Sequence, residues 1–143
     1  MTMAAACAIA FAAEAQTLNV VVGNVTYALP ASEVGDITYA AGPQITFMGK
    51  TVKTTDITRM YIDNSEVEDG TVAVSYNGTA ANVVVAGNVA QYVEATVSDA
   101  HVSIIQSSAV GDDTCGEITY TLAGSSSNGS FNLDGSYKAS LEL

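Results

Sequence analysis

Four carboxylates fall within one short segment, Asp63-Asn-Ser-Glu-Val-Glu-Asp-Gly70. Hard cations such as Ca²⁺ take six to eight oxygens from a loop held in one conformation. Asp63, Glu66, Glu68 and Asp69 supply the right atoms, but they miss the spacing of an EF-hand loop, so the segment reads as a solvated acidic linker. Asp112-Asp113 and Asp134-Gly135 are weaker candidates, the second being ordinary turn chemistry. His101 is the single histidine, and it alternates with Val102 and Ile104 as an outward-facing strand residue does. No partner for a triad or a histidine metal site lies near it. Ser125-Ser126-Ser127 is a turn and not a nucleophile elbow, and no phosphate loop, dinucleotide fingerprint or zinc-protease motif occurs. The residues alone therefore name no catalytic, cofactor-binding or metal-binding set.

The seven tyrosines, Tyr27, Tyr39, Tyr61, Tyr76, Tyr92, Tyr120 and Tyr137, are scattered, and there is no tryptophan. Most stand where strand packing is expected, and their spacing builds no flat sugar-binding platform. Asn24-Val-Thr26, Asn77-Gly-Thr79 and Asn128-Gly-Ser130 match glycosylation sequons, two of them overlapping expected turns.

These residues must be positioned by a chain of 143 residues, 48% hydrophobic and 13% charged, with 15 acidic and 4 basic side chains and a formal charge of −11. Such a composition supports a packed core and argues against disorder. Its acidity excludes nucleic acid and anionic lipid as partners, since both require a cationic face. Met3 to Ala13 is a short apolar run followed by Ala13-Glu14-Ala15, the pattern of a secretory signal over residues 1–15 with maturation at Gln16. No Lys or Arg precedes the run, which suggests a start some residues upstream. Cys7 would leave with the signal, so Cys115 remains alone and no disulfide framework forms. No other segment could cross a membrane as a helix.

The pattern along the mature chain is strand and turn. Leu18–Val22, Gly23-Asn24 and Val25–Leu29 form a hairpin signal. A second follows in Gln44–Met48, Gly49-Lys50 and Thr51–Thr54. Each leads into a hydroxyl–acid–aliphatic phrase and a short strand, a weak pseudo-repeat within a small β unit over residues 16–63. The acidic linker spans 64–70. Thr71–Tyr76, Asn77-Gly78 and Thr79–Val85 read as a third hairpin, with Asn-Gly as a type I′ pair. Tyr92–Val97 and His101–Ile105 are further strands, and Ser107–Gly116 is a polar loop. Glu117 to Leu143 then reads as strand, polar turn, short strand, Asp-Gly turn and strand, ending on Ser-Leu-Glu-Leu in mid-strand as a fragment would. No helix is expected in the mature chain.

Two phrases carry a family resemblance: Ala90-Gln-Tyr-Val-Glu-Ala-Thr-Val-Ser-Asp-Ala-His-Val-Ser-Ile104, and Gly116-Glu-Ile-Thr-Tyr-Thr-Leu-Ala-Gly-Ser-Ser-Ser-Asn-Gly-Ser-Phe-Asn-Leu-Asp-Gly-Ser-Tyr-Lys138. The chain resembles the N-terminal part of secreted carbohydrate-binding domain-containing proteins of anaerobic Gram-negative gut bacteria. The resemblance implies a right-handed parallel β-helix similar to polysaccharide lyases, with acidic polysaccharide and calcium as partners in the full-length protein. It places no binding residue on this chain. The expectation is an all-β protein: a small hairpin-rich unit, then the first strands of a β-helix over 71–143, with a β-sandwich as the alternative. The expected function is non-catalytic carbohydrate binding after export to the periplasm or cell surface, without membrane insertion. A structural or adhesive β-module is the rival. A lyase is the enzyme alternative, and it would need a base such as Lys138 or Arg59, both poorly placed for the task.

Overall fold

The computed structural model describes residues 16–143; the expected signal segment and Cys7 lie outside the described residues. Described strands are β1 (Thr17–Val22), β2 (Val25–Pro30), β3 (Thr38–Ala40), β4 (Gln44–Phe47), β5 (Lys50–Lys53), β6 (Ile57–Asp63), β7 (Thr71–Asn77), β8 (Ala80–Ala86), β9 (Val93–Ser98), β10 (His101–Gln106), β11 (Ile118–Ser125), β12 (Ser130–Asp134) and β13 (Ala139–Glu142). Two 3₁₀ turns, Thr54–Asp56 and Gly87–Tyr92, are the helical elements among these residues. The protein is all-β, as its Val-, Thr- and Tyr-rich runs and frequent Gly turns require. Among the described residues, no helix is long and apolar enough to cross a membrane.

The main sheet has seven strands in the order β13-β11-β7-β8-β2-β1-β6, flanked by the three-stranded sheets β12-β10-β9 and β3-β4-β5. Strands from both sides of the acidic segment 64–70 share the main sheet, because β2 runs parallel to β8. The two hairpins of the N-terminal half lie in different sheets, β1–β2 in the main one and β4–β5 in a small one. Period-2 alternation divides the main sheet into two faces. Val20, Tyr27, Leu29, Val72, Val74, Val83, Val85, Ile118 and Tyr120 are buried on one face. They join Phe47 from the β3–β5 sheet and Val102 and Ile104 from β10 in a single core. The 3₁₀ turn Gly87–Tyr92 buries Val89 and Ala90 in the same core. Any side chain at Gly87 would meet Met48 Sδ at 2.7 Å and Leu29 Cδ2 at 3.0 Å.

The last four strands alternate between two sheets. β10 and β12 pair in parallel in one sheet, and β11 and β13 pair in parallel in the other. His101 lies beside Ser130, so the chain returns to the same sheet 29 residues later in the same direction. β11 also lies parallel to β7, which fastens this alternating segment to the rest of the main sheet.

Two turns differ from their expected positions by one residue. Phe47 pairs with Lys50, so Met48-Gly49 makes the turn, both with positive φ (45° and 80°), and Lys50 begins β5. This is the type I′ pattern, with Met48 tolerating the left-handed conformation. Asn77 pairs with Ala80, so Gly78-Thr79 makes the next turn and only Gly78 has positive φ. One glycine at the first central position is the type II′ pattern, which replaces the expected type I′ Asn-Gly pair. The Gly23-Asn24 turn stands where the sequence puts it, between the paired residues Val22 and Val25.

Candidate functional site

The acidic segment runs from β6, an outer strand of the main sheet, to β7, with β1, β2 and β8 between them. Four strand spacings amount to about 19 Å. Residues 64–70, fully extended, reach roughly 24 Å. The segment is therefore long enough to cross the sheet, closing in a turn at Gly70 (φ 75°), and hydrogen bonds hold it at both ends. Thr17 Oγ1 donates to the Ser65 carbonyl at 2.5 Å, and the Gly70 amide donates to Asn88 Oδ1 at 2.9 Å. Val67 is partly buried and packs against core residues along the way.

Between this segment and the polar face of the main sheet lies a groove of about 430 Å³. Its floor is Asn19, Thr26, Val84, Ala73 and Thr71, from β1, β2, β8 and β7, and its wall is Tyr61 and Asp63 of β6 with Ser65 to Glu68 of the crossing. Asn19 is buried, and its Nδ2 donates to Asp63 Oδ1 at 3.1 Å. The Ser65 amide and hydroxyl donate to the same oxygen at 3.1 and 2.5 Å. These bonds, those from Ser65 foremost, hold the Asp63 carboxyl below the usual carboxylate range. The Arg59 guanidinium lies 4.4 Å from the centroid of the Tyr61 ring and stiffens that wall. The groove thus offers an amide, hydroxyls, three carboxylates and one aromatic ring in a volume suited to a small polar ligand. Among the described residues, no three His, Cys, Asp or Glu side chains converge to hold a metal ion. Asp63, Glu66 and Glu68 share the groove without forming a calcium cage of their own.

The other sequence candidates are dispersed. His101 is exposed on β10, and its Nδ1 lies 2.9 Å from Ser130 Oγ. Tyr27 and Tyr120 are core residues, whereas Tyr39 is 84% exposed on β3. Tyr76 donates to the Ser130 carbonyl at 2.9 Å, so the tyrosines do not share a platform. Arg59 and Lys138 sit at opposite ends of the main sheet, near β6 and β13. Lys138 Nζ is 3.6 Å from Asp112 Oδ1, and Tyr137 donates its hydroxyl to the same oxygen. The Asp112 charge keeps the Lys138 ammonium protonated, and the hydrogen bond to Asp112 raises the Tyr137 phenol. Neither is poised to act as a base. Cys115 is a partly buried free thiol.

Sequence reasoning missed Lys50. Its side chain is 9% exposed, its Nζ donates to the Val93 carbonyl at 3.1 Å and to Glu94 Oε2 at 2.6 Å, and it stands 5.4 Å from the Tyr27 ring centroid. Burial raises the Tyr27 phenol, and the nearby ammonium opposes that shift. Lys50 fastens the small β3–β5 sheet to β9. The signal that could have revealed it is Met48-Gly49 taken as the turn, which places residue 50 on the inward face.

No protein-family model, no curated protein and no solved structure matches this chain.

Proposed function

We propose that the chain is an exported, non-catalytic carbohydrate-binding protein whose last four strands open a right-handed parallel β-helix. The observation that carries the architectural part is the alternating parallel register, β10 beside β12 in one sheet and β11 beside β13 in another. Successive coils of a solenoid stack in this manner, each covering the core of the one before. The groove over Asn19, Thr26 and Tyr61 supports the binding part, because sugar hydroxyls need amide and carboxylate partners and a flat apolar face.

Acidic polysaccharide is the proposed ligand class, and its charge sets a condition. With Asp63, Glu66 and Glu68 at the groove and a chain charge of −11, uronic-acid carboxylates are repelled. Divalent calcium, shared between sugar and groove carboxylates, offsets that repulsion. Affinity electrophoresis through gels containing a uronic-acid polysaccharide, with Ca²⁺ and with chelator, tests the reading. Retardation that depends on Ca²⁺ and disappears in Tyr61→Ala supports it. Equal migration in every gel rejects it.

A further inference from the structure

We infer that β6 is a self-pairing edge, through which two copies of this chain join their main sheets antiparallel about Tyr61. β6 closes the seven-stranded order on one side, and among the described residues no strand lies beyond it. A long, regular, apolar edge is a template for strand addition unless charge, proline or a bulge blunts it. The one irregularity in the β1–β6 ladder falls between Val21 and Val22, opposite the start of β6, so Arg59 to Asp63 remain regular. Met60 and Ile62 are 43% and 60% exposed although they pair with core-side Val20 and Leu18. They form an uncovered extension of the apolar face.

The sequence of this edge is complementary to itself. In an antiparallel pair centred on Tyr61, each Met60 faces Ile62 of the second copy, gathering four apolar side chains on one face. On the other face, each Arg59 faces Asp63 of the second copy, and the two tyrosines lie between these ion pairs. Centring the pair on Met60 instead would oppose Arg59 to Tyr61 and Ile57 to Asp63, losing both matches. Arg59 is available for the role: it is exposed and forms no salt bridge among the described residues. An isologous two-fold contact repeats each favourable pair twice. Pairing along Arg59–Asp63 alone buries less than the ~1,200 Å² of stable interfaces, so association depends on concentration.

Sedimentation equilibrium of the chain across a concentration series tests this, alongside Ile62→Lys and Arg59→Glu. Both substitutions are at exposed positions, and circular dichroism checks that each variant keeps its strands. The expected result is a wild-type mass rising towards twice the monomer, with association weakened at least tenfold in each variant. Oxidation of Tyr61→Cys in a Cys7→Ser, Cys115→Ser background is expected to trap a covalent dimer, whereas Thr58→Cys in that background does not. A wild-type mass that stays monomeric throughout, or variants that associate as well as wild type, would overturn the inference. Ile62 projects from the face opposite the groove, so Ile62→Lys separates loss of pairing from loss of ligand binding.

Discussion

Gly124 reports on the junction that carries the alternating strands. It lies in β11 opposite Tyr76 of β7, with φ of 83°. A Cβ there would stand 2.0 Å from the Tyr76 carbonyl oxygen and about 3 Å from its carbonyl carbon and nitrogen. Gly124→Ala therefore incurs two costs. The left-handed backbone costs an L-residue roughly 1–2 kcal/mol. The clash is with backbone, which no rotamer relieves, so β7 and β11 must separate locally and lose ladder hydrogen bonds of about 1 kcal/mol each. The total is about 3 kcal/mol or more. Gly78→Ala is the control: its φ is 66°, but a Cβ there has open space, so only the first cost applies. In urea unfolding of both variants, Gly124→Ala should lose at least about 1 kcal/mol more than Gly78→Ala. At roughly 2–4 °C per kcal/mol for a chain of this size, a thermal scan separates the two easily. Equal destabilisation would mean that β11 does not approach Tyr76 closely, and the reasoning from the β7–β11 pairing would fail.

Three further outcomes follow from the core and the acidic groups. Tyr120 is fully buried and donates to Gln106 Oε1 at 2.8 Å, so Tyr120→Phe strands a buried acceptor and should cost about 1–3 kcal/mol in chemical denaturation. Burial pushes the Tyr120 phenol up to about 12 from 10.0. The folded state resists its ionisation, so the stability it contributes is complete below pH 10 and lost as pH rises towards 12. Thermal midpoints of wild type should fall across that window more steeply than those of Tyr120→Phe. Asp63 has the opposite sign: its carboxyl is depressed below 3.8, so its contribution is present above that value and lost as pH falls beneath it. Asp63→Asn should flatten the acid limb of the thermal profile, and an unchanged limb would remove Asp63 as its source. Lys50→Met, which keeps the stem and deletes the ammonium, should lower stability by about 1–3 kcal/mol, since the exposed partner Glu94 regains water but the buried Val93 carbonyl loses its Lys50 donor. A much larger loss would mean that Lys50 does more than join β5 to β9.

The sequence made faces legible and left neighbours obscure. Alternation in His101-Val-Ser-Ile correctly set His101 outward and Val102 and Ile104 inward, because side-chain direction follows from period 2 alone. The Gly23-Asn24 turn was equally plain, since local turn chemistry decides it. Lys50 was lost for the same reason in reverse. Moving the turn from Gly49-Lys50 to Met48-Gly49 shifts the strand by one residue and exchanges its faces. The parallel pairing of β2 with β8 had no signal, because no turn joins them and parallel neighbours are distant in sequence. The candidate groove depends on that pairing: the acidic segment crosses the polar face only because strands from both sides of it share one sheet. Its carboxylates were legible as a cluster, while their setting beside Asn19, Thr26 and Tyr61 was not.

Carbohydrate binding at this groove is the central claim, and calorimetric titration of the chain with uronic-acid oligosaccharides measures it most directly. The account predicts saturable heat in Ca²⁺, none in chelator, and loss of the heat in Tyr61→Ala with the fold intact by circular dichroism. Saturable binding that is unchanged in Tyr61→Ala, or no binding with Ca²⁺ present, would contradict it.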